Sequence, residues 1–105
     1  MEFLNKVELK GIVGRVHVQN IAGKEHAKLS MATNYAYADA EGNAVIETTW
    51  HNVTASNLPE GVDKGSKVHV IGRIRKRRYT DENGVEKYLD EIIASQIKVI
   101  EEEQQ

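Results

Sequence analysis

Residues 4 to 18 read LNKVELKGIVGRVHV, and this run decides the fold. Aliphatic and β-branched residues dominate it, as is typical of a strand, but it is long for one straight strand. Gly11 and Gly14 interrupt the run, and glycines inside a strand often mark a bulge or a sharp bend. The run therefore predicts one bent strand that serves two sheets.

Four more strand-like runs follow, each bounded by turn residues. They cover residues 27–33, 45–55, 67–80 and 86–100. Residues 39–43 predict a polar hairpin loop, and residues 81–84 predict a tight turn, because the Asn-Gly pair tolerates positive φ. The single proline, Pro59, lies in a predicted loop or single helical turn. Alternation predicts two core-facing sets: Ala27, Leu29 and Met31, and Val68, Val70, Gly72 and Ile74.

Five short strands, a bent first strand and no long helical periodicity predict an all-β protein. A five-stranded Greek-key barrel of the OB-fold type, with no large helix, fits the strand count and the 105 residues. An SH3-like barrel is usually shorter, and an immunoglobulin-like sandwich needs about seven strands. We expect one domain at residues 1–100 and a short acidic stub at residues 101–105.

Composition excludes several classes of protein. The chain is 40% hydrophobic and 29% charged, which is typical of a folded domain, and no apolar run has the ~18 residues of a membrane span. There is no cysteine, so disulfides and thiol catalysis are excluded. The four histidines show no metal-ligand spacing, and no motif pairs a nucleophile with a base. We expect no metal, no cofactor and no enzymatic activity.

Basic charge is concentrated in one element. Seven of the 14 lysines and arginines lie between Lys64 and Tyr79, with no acidic residue among them, although the net charge is −2. Strand alternation puts Arg73, Arg75 and Arg77, here called the arginine row, on one face with Tyr79. Such a row suits phosphates at strand spacing, with the ring stacked on a base. The alternative is a solvated edge strand, where basic side chains prevent aggregation.

Other aromatic residues also suit base stacking. Trp50 shares its predicted strand face with the polar Thr48 and Asn52, which indicates an exposed ring; the alternative is a core tryptophan with the face assignment slipped by one residue. Tyr35 and Tyr37 lie at period two where the second strand enters its hairpin. They are candidates for stacking or for ordinary hairpin packing.

These residues, taken in order, resemble the bacterial single-stranded DNA-binding protein family from Asn5 to about Ile93. The resemblance depends on the order and spacing of short pieces: Asn5-Lys6-Val7, Gly11, Gly14-Arg15, Leu29-Ser30-Met31-Ala32-Thr33, Thr49-Trp50-His51, Lys64-Gly65-Ser66, Gly72-Arg73-Ile74-Arg75, Tyr79, Asp81-Glu82-Asn83-Gly84 and Tyr88.

The resemblance implies a homotetramer, with a dimer as the alternative, that binds and protects single-stranded DNA without sequence preference in replication, recombination and repair. It also implies which residues bind the DNA: Trp50, Tyr37 and Tyr79 by stacking, and Arg73, Arg75, Arg77, Lys64, Arg15 and Lys6 by charge. His51 is similar to the family's histidine near the subunit interface. The expected location is the bacterial cytoplasm, in association with the nucleoid and not with a membrane.

Two features depart from the family's pattern. Residues 54–57 lack the usual aromatic ring after the third strand, so one stacking site is absent. The sequence ends at Gln105 without the acidic tip and terminal phenylalanine that recruit replication and repair proteins in the family, and both a natural absence and a truncation of the tip fit this ending. The alternatives are a primosomal replication accessory protein of the same fold, which is dimeric, and an OB domain that serves as a protein scaffold.

Overall fold

A computed structural model describes residues 2–100, and the predicted acidic stub lies outside this range. Five strands form one closed barrel in the order β1-β2-β3-β5-β4. The strands are β1 Val7–Ile21, β2 Lys24–Ala38, β3 Ala44–Ala55, β4 Lys67–Thr80 and β5 Glu86–Val99. The OB-fold prediction is confirmed. Within these residues no helix is long and apolar enough to cross a membrane.

The bent first strand is confirmed. Residues 7–12 of β1 pair antiparallel with β4, and residues 12–21 pair antiparallel with β2. The register with β2 shifts between Val13 and Arg15, so the bulge lies at Gly14. One strand thereby joins two walls of the barrel.

β1 has the predicted 15 residues but is shifted by three positions and ends at Ile21, and β2 is longer than predicted because it begins at Lys24 and continues to Ala38. Ala22 and Gly23 join the two strands. Both linking residues have positive φ, 52° and 80°, as the tight hairpin turns that match strand twist require. Alanine rarely adopts this conformation, so the Ala-Gly pair gives a weak turn signal.

The barrel encloses one aliphatic core. The predicted core residues of β2 are confirmed, as are Val68, Val70 and Gly72 of β4. The buried cluster consists of Val13, Leu29, Met31, Val53, Ala55, Val62, Val68, Val70, Ile92 and Ile97. Val62 comes from the loop at residues 56–66, which contains Pro59 and has no helical turn.

Ile74 is not in the core, and this prediction was wrong: 53% of the residue is exposed. Pairing between β1 and β4 ends at Val7 and Gly72, so beyond Gly72 only β5 lies beside β4. From Ile74 onward the two strands leave the barrel as an arm. The Asn5 side chain replaces β1 there: its amide nitrogen donates to the Ile74 carbonyl at 2.7 Å, and its oxygen accepts from the Ile74 N–H at 2.9 Å.

Candidate nucleic-acid interface

Trp50 is an exposed ring, as the sequence predicted, with 60% of the residue accessible to solvent. It lies on the outer face of β3, opposite in direction to the buried Val53 and Ala55. The indole covers the backbone of Gly14, where a Cβ atom would approach Cζ3 of the ring to 2.5 Å. The core alternative for Trp50 is excluded, and the β1 bulge provides the floor on which its ring rests.

A groove of about 630 Å³ lies beside this ring and is hereafter called the Trp50 groove. Arg15 and Lys64, both expected from the sequence, line it together with Lys28 and His17, which sequence reasoning missed. Lys64 reaches the groove because its loop is bonded to β1: the Gly65 N–H donates to the Val13 carbonyl at 2.7 Å. Basic side chains from β1, β2 and the loop thus surround one exposed aromatic ring.

The arginine row lies on one face of β4 with Tyr79, as predicted, and all of these residues except Arg73 belong to the arm. Its cross-strand partners on β5 are Ile93, Glu91 and Leu89, and Lys87 faces Tyr79. Because antiparallel partners share a face, Glu91 lies among the guanidinium groups. Only 4% of Glu91 is exposed.

Glu91 binds both neighbouring arginines of the row. Its Oε1 accepts from Nε and Nη2 of Arg75 at 3.0 and 2.5 Å, and it lies 3.4 Å from Nε of Arg77. Its Oε2 accepts from the Thr54 hydroxyl of β3 at 3.1 Å. Sequence reasoning missed this acid, although the register set by the Asp81 turn places it opposite Arg75.

The surroundings of Glu91 keep it ionised. Burial raises the pKa of the Glu91 carboxyl, but hydrogen bonds from Arg75 and Thr54 and the charges of Arg75 and Arg77 outweigh burial and hold that pKa below its ordinary value. Two positive groups and one negative group therefore give this part of the row a net charge of about +1 at neutral pH.

Tyr37 does not share the face of Trp50. Trp50 pairs with Ala32, and Tyr37 pairs with Val45, five positions further along the β2–β3 ribbon. Because side chains alternate, the odd separation puts the two rings on opposite faces of the ribbon. Tyr35 is on the face of Tyr37, with ring centroids 6.1 Å apart. Trp50 and Tyr37, both expected to stack on bases, therefore lie on two different faces of the β2–β3 ribbon.

Lys6 belongs to a different groove. It lines a cleft of about 380 Å³ with Arg73 and the outer faces of β4 and β5. Neither residue lines the Trp50 groove. The basic residues expected from the sequence are thus distributed over two grooves and the arm.

His51 lies on the face of β3 opposite Trp50 and is partly buried. Its Nε2 is hydrogen-bonded to the hydroxyl of Thr33 at 2.8 Å. Burial lowers the pKa of the His51 imidazole below its ordinary value, which favours the neutral ring. Among residues 2–100, no three histidine, aspartate or glutamate side chains are grouped to hold a metal ion.

Comparisons with known proteins agree with this geometry. Residues 4–100 match the model of the single-strand binding protein family. A single-stranded DNA-binding protein of Xanthomonas campestris is 35% identical over 92% of this chain, and one of Bacteroides thetaiotaomicron is 38% identical over 92%. The chain spans 60% and 66% of the length of these two relatives.

Solved structures give the same fold. The Plasmodium falciparum SSB in complex with ssDNA superimposes with a TM-score of 0.87 at 25% identity, covering 96% of this chain and 98% of that one. A small single-stranded DNA-binding protein of Streptomyces coelicolor superimposes with a TM-score of 0.70 at 20% identity, covering 90% and 93% of the two chains.

Proposed function

Since this chain belongs to the single-strand binding protein family, we propose that it binds single-stranded DNA without sequence preference, as a binding protein and not as an enzyme. Bases stack on Trp50 and Tyr79, and on Tyr37 across the ribbon. Phosphates pair with the arginine row and with Lys64, Arg15 and Lys6. Stacking accepts any base because each has a π-face, and it contributes about 1–3 kcal/mol per base.

One observation supports this proposal above the others: an exposed tryptophan rests on a glycine backbone beside a basic groove. An indole left mostly in solvent contributes less to stability than a buried one, and its open face offers a stacking surface to a base. The nearby Arg15 and Lys64 supply the charge that a nucleic-acid backbone requires.

A homo-oligomer, with a tetramer favoured over a dimer, is part of the proposal. Ile12 and Ile21 of β1 are about half-exposed on one face of the β1–β2 hairpin, and a second copy of the chain would cover them. The protein would act in replication, recombination and repair in the bacterial cytoplasm, associated with the nucleoid, with residues 1–100 as the DNA-binding domain. Light scattering with and without a ~35-nucleotide strand, long enough for several OB folds at ~4–16 nucleotides each, measures the assembly.

Titration of tryptophan fluorescence with oligothymidylate tests the proposed function, because Trp50 is the chain's one tryptophan. A stacked base quenches the indole, and the quenching should reverse with salt as phosphate contacts are screened. A double-stranded oligonucleotide of equal length is the control and should quench far less. An unchanged emission spectrum, with no binding by a second method, would favour the protein-scaffold alternative.

A further inference from the structure

Glu91 is an acid enclosed by the basic surface that the proposed function assigns to phosphate. Charge alone makes this placement unfavourable for DNA binding, because a carboxylate repels phosphate and neutralises a nearby arginine. The carboxylate is buried, while the Arg75 and Arg77 side chains that surround it are 48% and 40% exposed. A buried carboxylate beneath two half-exposed guanidinium groups is placed to hold those two groups in position.

Glu91 contacts both guanidinium groups from the same side, the side that carries Nε. Glu91 engages Nε of Arg75 and approaches Nε of Arg77, at the inner edge of each guanidinium. Within residues 2–100, Nη1 of Arg75 and both terminal nitrogens of Arg77 make no hydrogen bond with protein. Guanidinium presents five N–H donors in a rigid fork, so the inner edge can bind a carboxylate while the outer nitrogens bind phosphate.

We propose that Glu91 is a positioning residue of the DNA interface, which rests on the proposed function. Its carboxylate holds Arg75 and Arg77 by their inner edges and aims their outer nitrogens at the DNA backbone. Held in this way, the two long side chains lose less rotamer freedom when a phosphate binds, and the affinity increases.

The Thr54 hydrogen bond gives this support a fixed position relative to the stacking ring. Thr54 lies on the same outer face of β3 as Asn52 and Trp50, four residues from the ring. Glu91 therefore joins the strand that bears Trp50 to the strand that bears the arginine row. The spacing between the base-stacking site and the phosphate sites depends on this connection.

If Glu91 acted only through its negative charge, its removal would raise the affinity for DNA, whereas loss of a positioning residue lowers that affinity. Two alanine variants separate these effects. Asp90→Ala removes the neighbouring acid, which is exposed and pairs with Lys76 on the other face of the arm. It is the matched control, and its affinity for oligothymidylate should equal or exceed that of the wild type. Glu91→Ala removes the same charge, yet its affinity should fall about tenfold, equivalent to about 1.4 kcal/mol.

Glu91→Gln separates geometry from charge. The amide oxygen still accepts from Arg75, so this variant should recover most of the affinity, with a steeper dependence on salt because the row gains a net positive charge. Melting temperatures are measured beside the affinities, and binding is compared well below the lowest of them. If Glu91 affected only folding, Glu91→Gln would not combine a recovered affinity with a changed dependence of that affinity on salt.

If Glu91→Ala is destabilised, the same change made in a protein that already lacks both arginines still tests the positioning role. In an Arg75→Ala/Arg77→Ala protein, adding Glu91→Ala should lower the affinity no further, because the supported groups are gone. An equal loss in both backgrounds would overturn the positioning role, and so would a Glu91→Ala variant that binds as tightly as Asp90→Ala. Wild-type protein that binds no single strand would instead overturn the proposed function.

Discussion

The indole of Trp50 rests on the backbone of Gly14, at a distance that leaves no space for a Cβ atom: the nearest ring carbon would be 2.5 Å away. The position of the exposed ring in β3 therefore depends on the glycine at the bulge in β1. Gly14 does not have positive φ, so its lack of a side chain serves the contact and not the backbone conformation.

Gly14→Ala should displace the ring and weaken binding to oligothymidylate by about 1 kcal/mol, the lower bound of a stacking contact. The melting temperature should change little, because an exposed indole can rotate away from the new methyl group. Fluorescence titration and thermal unfolding measure the two effects. Unchanged affinity would show that the position of the ring over Gly14 is irrelevant to DNA.

Trp50→Ala should lower the affinity by about 1–3 kcal/mol, the full contribution of one stacked base. Trp50→Phe should restore most of it, because phenylalanine retains a stacking face. Neither variant should approach the ~3–5 kcal/mol loss of stability that truncating a buried tryptophan causes, since Trp50 is exposed. Filter binding and thermal unfolding apply here, and a large drop in melting temperature for Trp50→Ala would contradict the exposed position.

Arg73 and Arg75 should respond differently to removal. Arg73 is exposed, and within residues 2–100 it forms no ion pair, so Arg73→Ala should flatten the dependence of log affinity on log salt by about 0.7 and leave stability unchanged. Arg75→Ala should flatten the slope less and also lower the melting temperature, because Glu91 loses its main partner. Equal salt slopes and equal melting temperatures for the two variants would contradict the Glu91 contact.

Tyr37 should matter only for longer strands. It is on the opposite face of the β2–β3 ribbon from Trp50, so a short strand stacked on Trp50 does not reach it. Tyr37→Ala should weaken binding of a ~35-nucleotide strand and leave that of a ~6-nucleotide strand unchanged, given ~4–16 nucleotides per OB fold. Trp50→Ala should weaken both. Equal losses for Tyr37→Ala at both lengths would place the two rings in one binding site.

His51 should make the protein less stable in mild acid. Its pKa in the folded protein is below the ordinary 6.5 because of burial, so the unfolded chain takes up a proton at higher pH than the folded one. The stability that His51 provides is complete above pH 6.5 and is lost as the pH falls through the folded pKa. Between about pH 7.5 and about pH 5.5, the wild type should lose more thermal stability than His51→Gln. Identical losses would show that His51 does not account for the change.

Local patterns in the sequence were enough for the strand count, the bent first strand and the turn at residues 81–84. Each of these depends on neighbours in the chain: alternation identifies a strand, and glycine or asparagine at a turn allows positive φ. The exposure of Trp50 was also predictable, because Thr48 and Asn52 make its strand face polar. The hairpin at Ala22 was missed because alanine is a poor signal for the conformation it adopts.

Only the tertiary structure decided which residues work together. Ile74 follows the core alternation of β4 but is exposed, because β1 ends its pairing at Gly72 and alternation does not record where a neighbouring strand stops. The Trp50 contact with Gly14 and the Glu91 contact with Arg75 join residues 36 and 16 positions apart. Closure of the barrel determines such distances between strands, whereas the periodicity of a single strand determines only which side chains share its face.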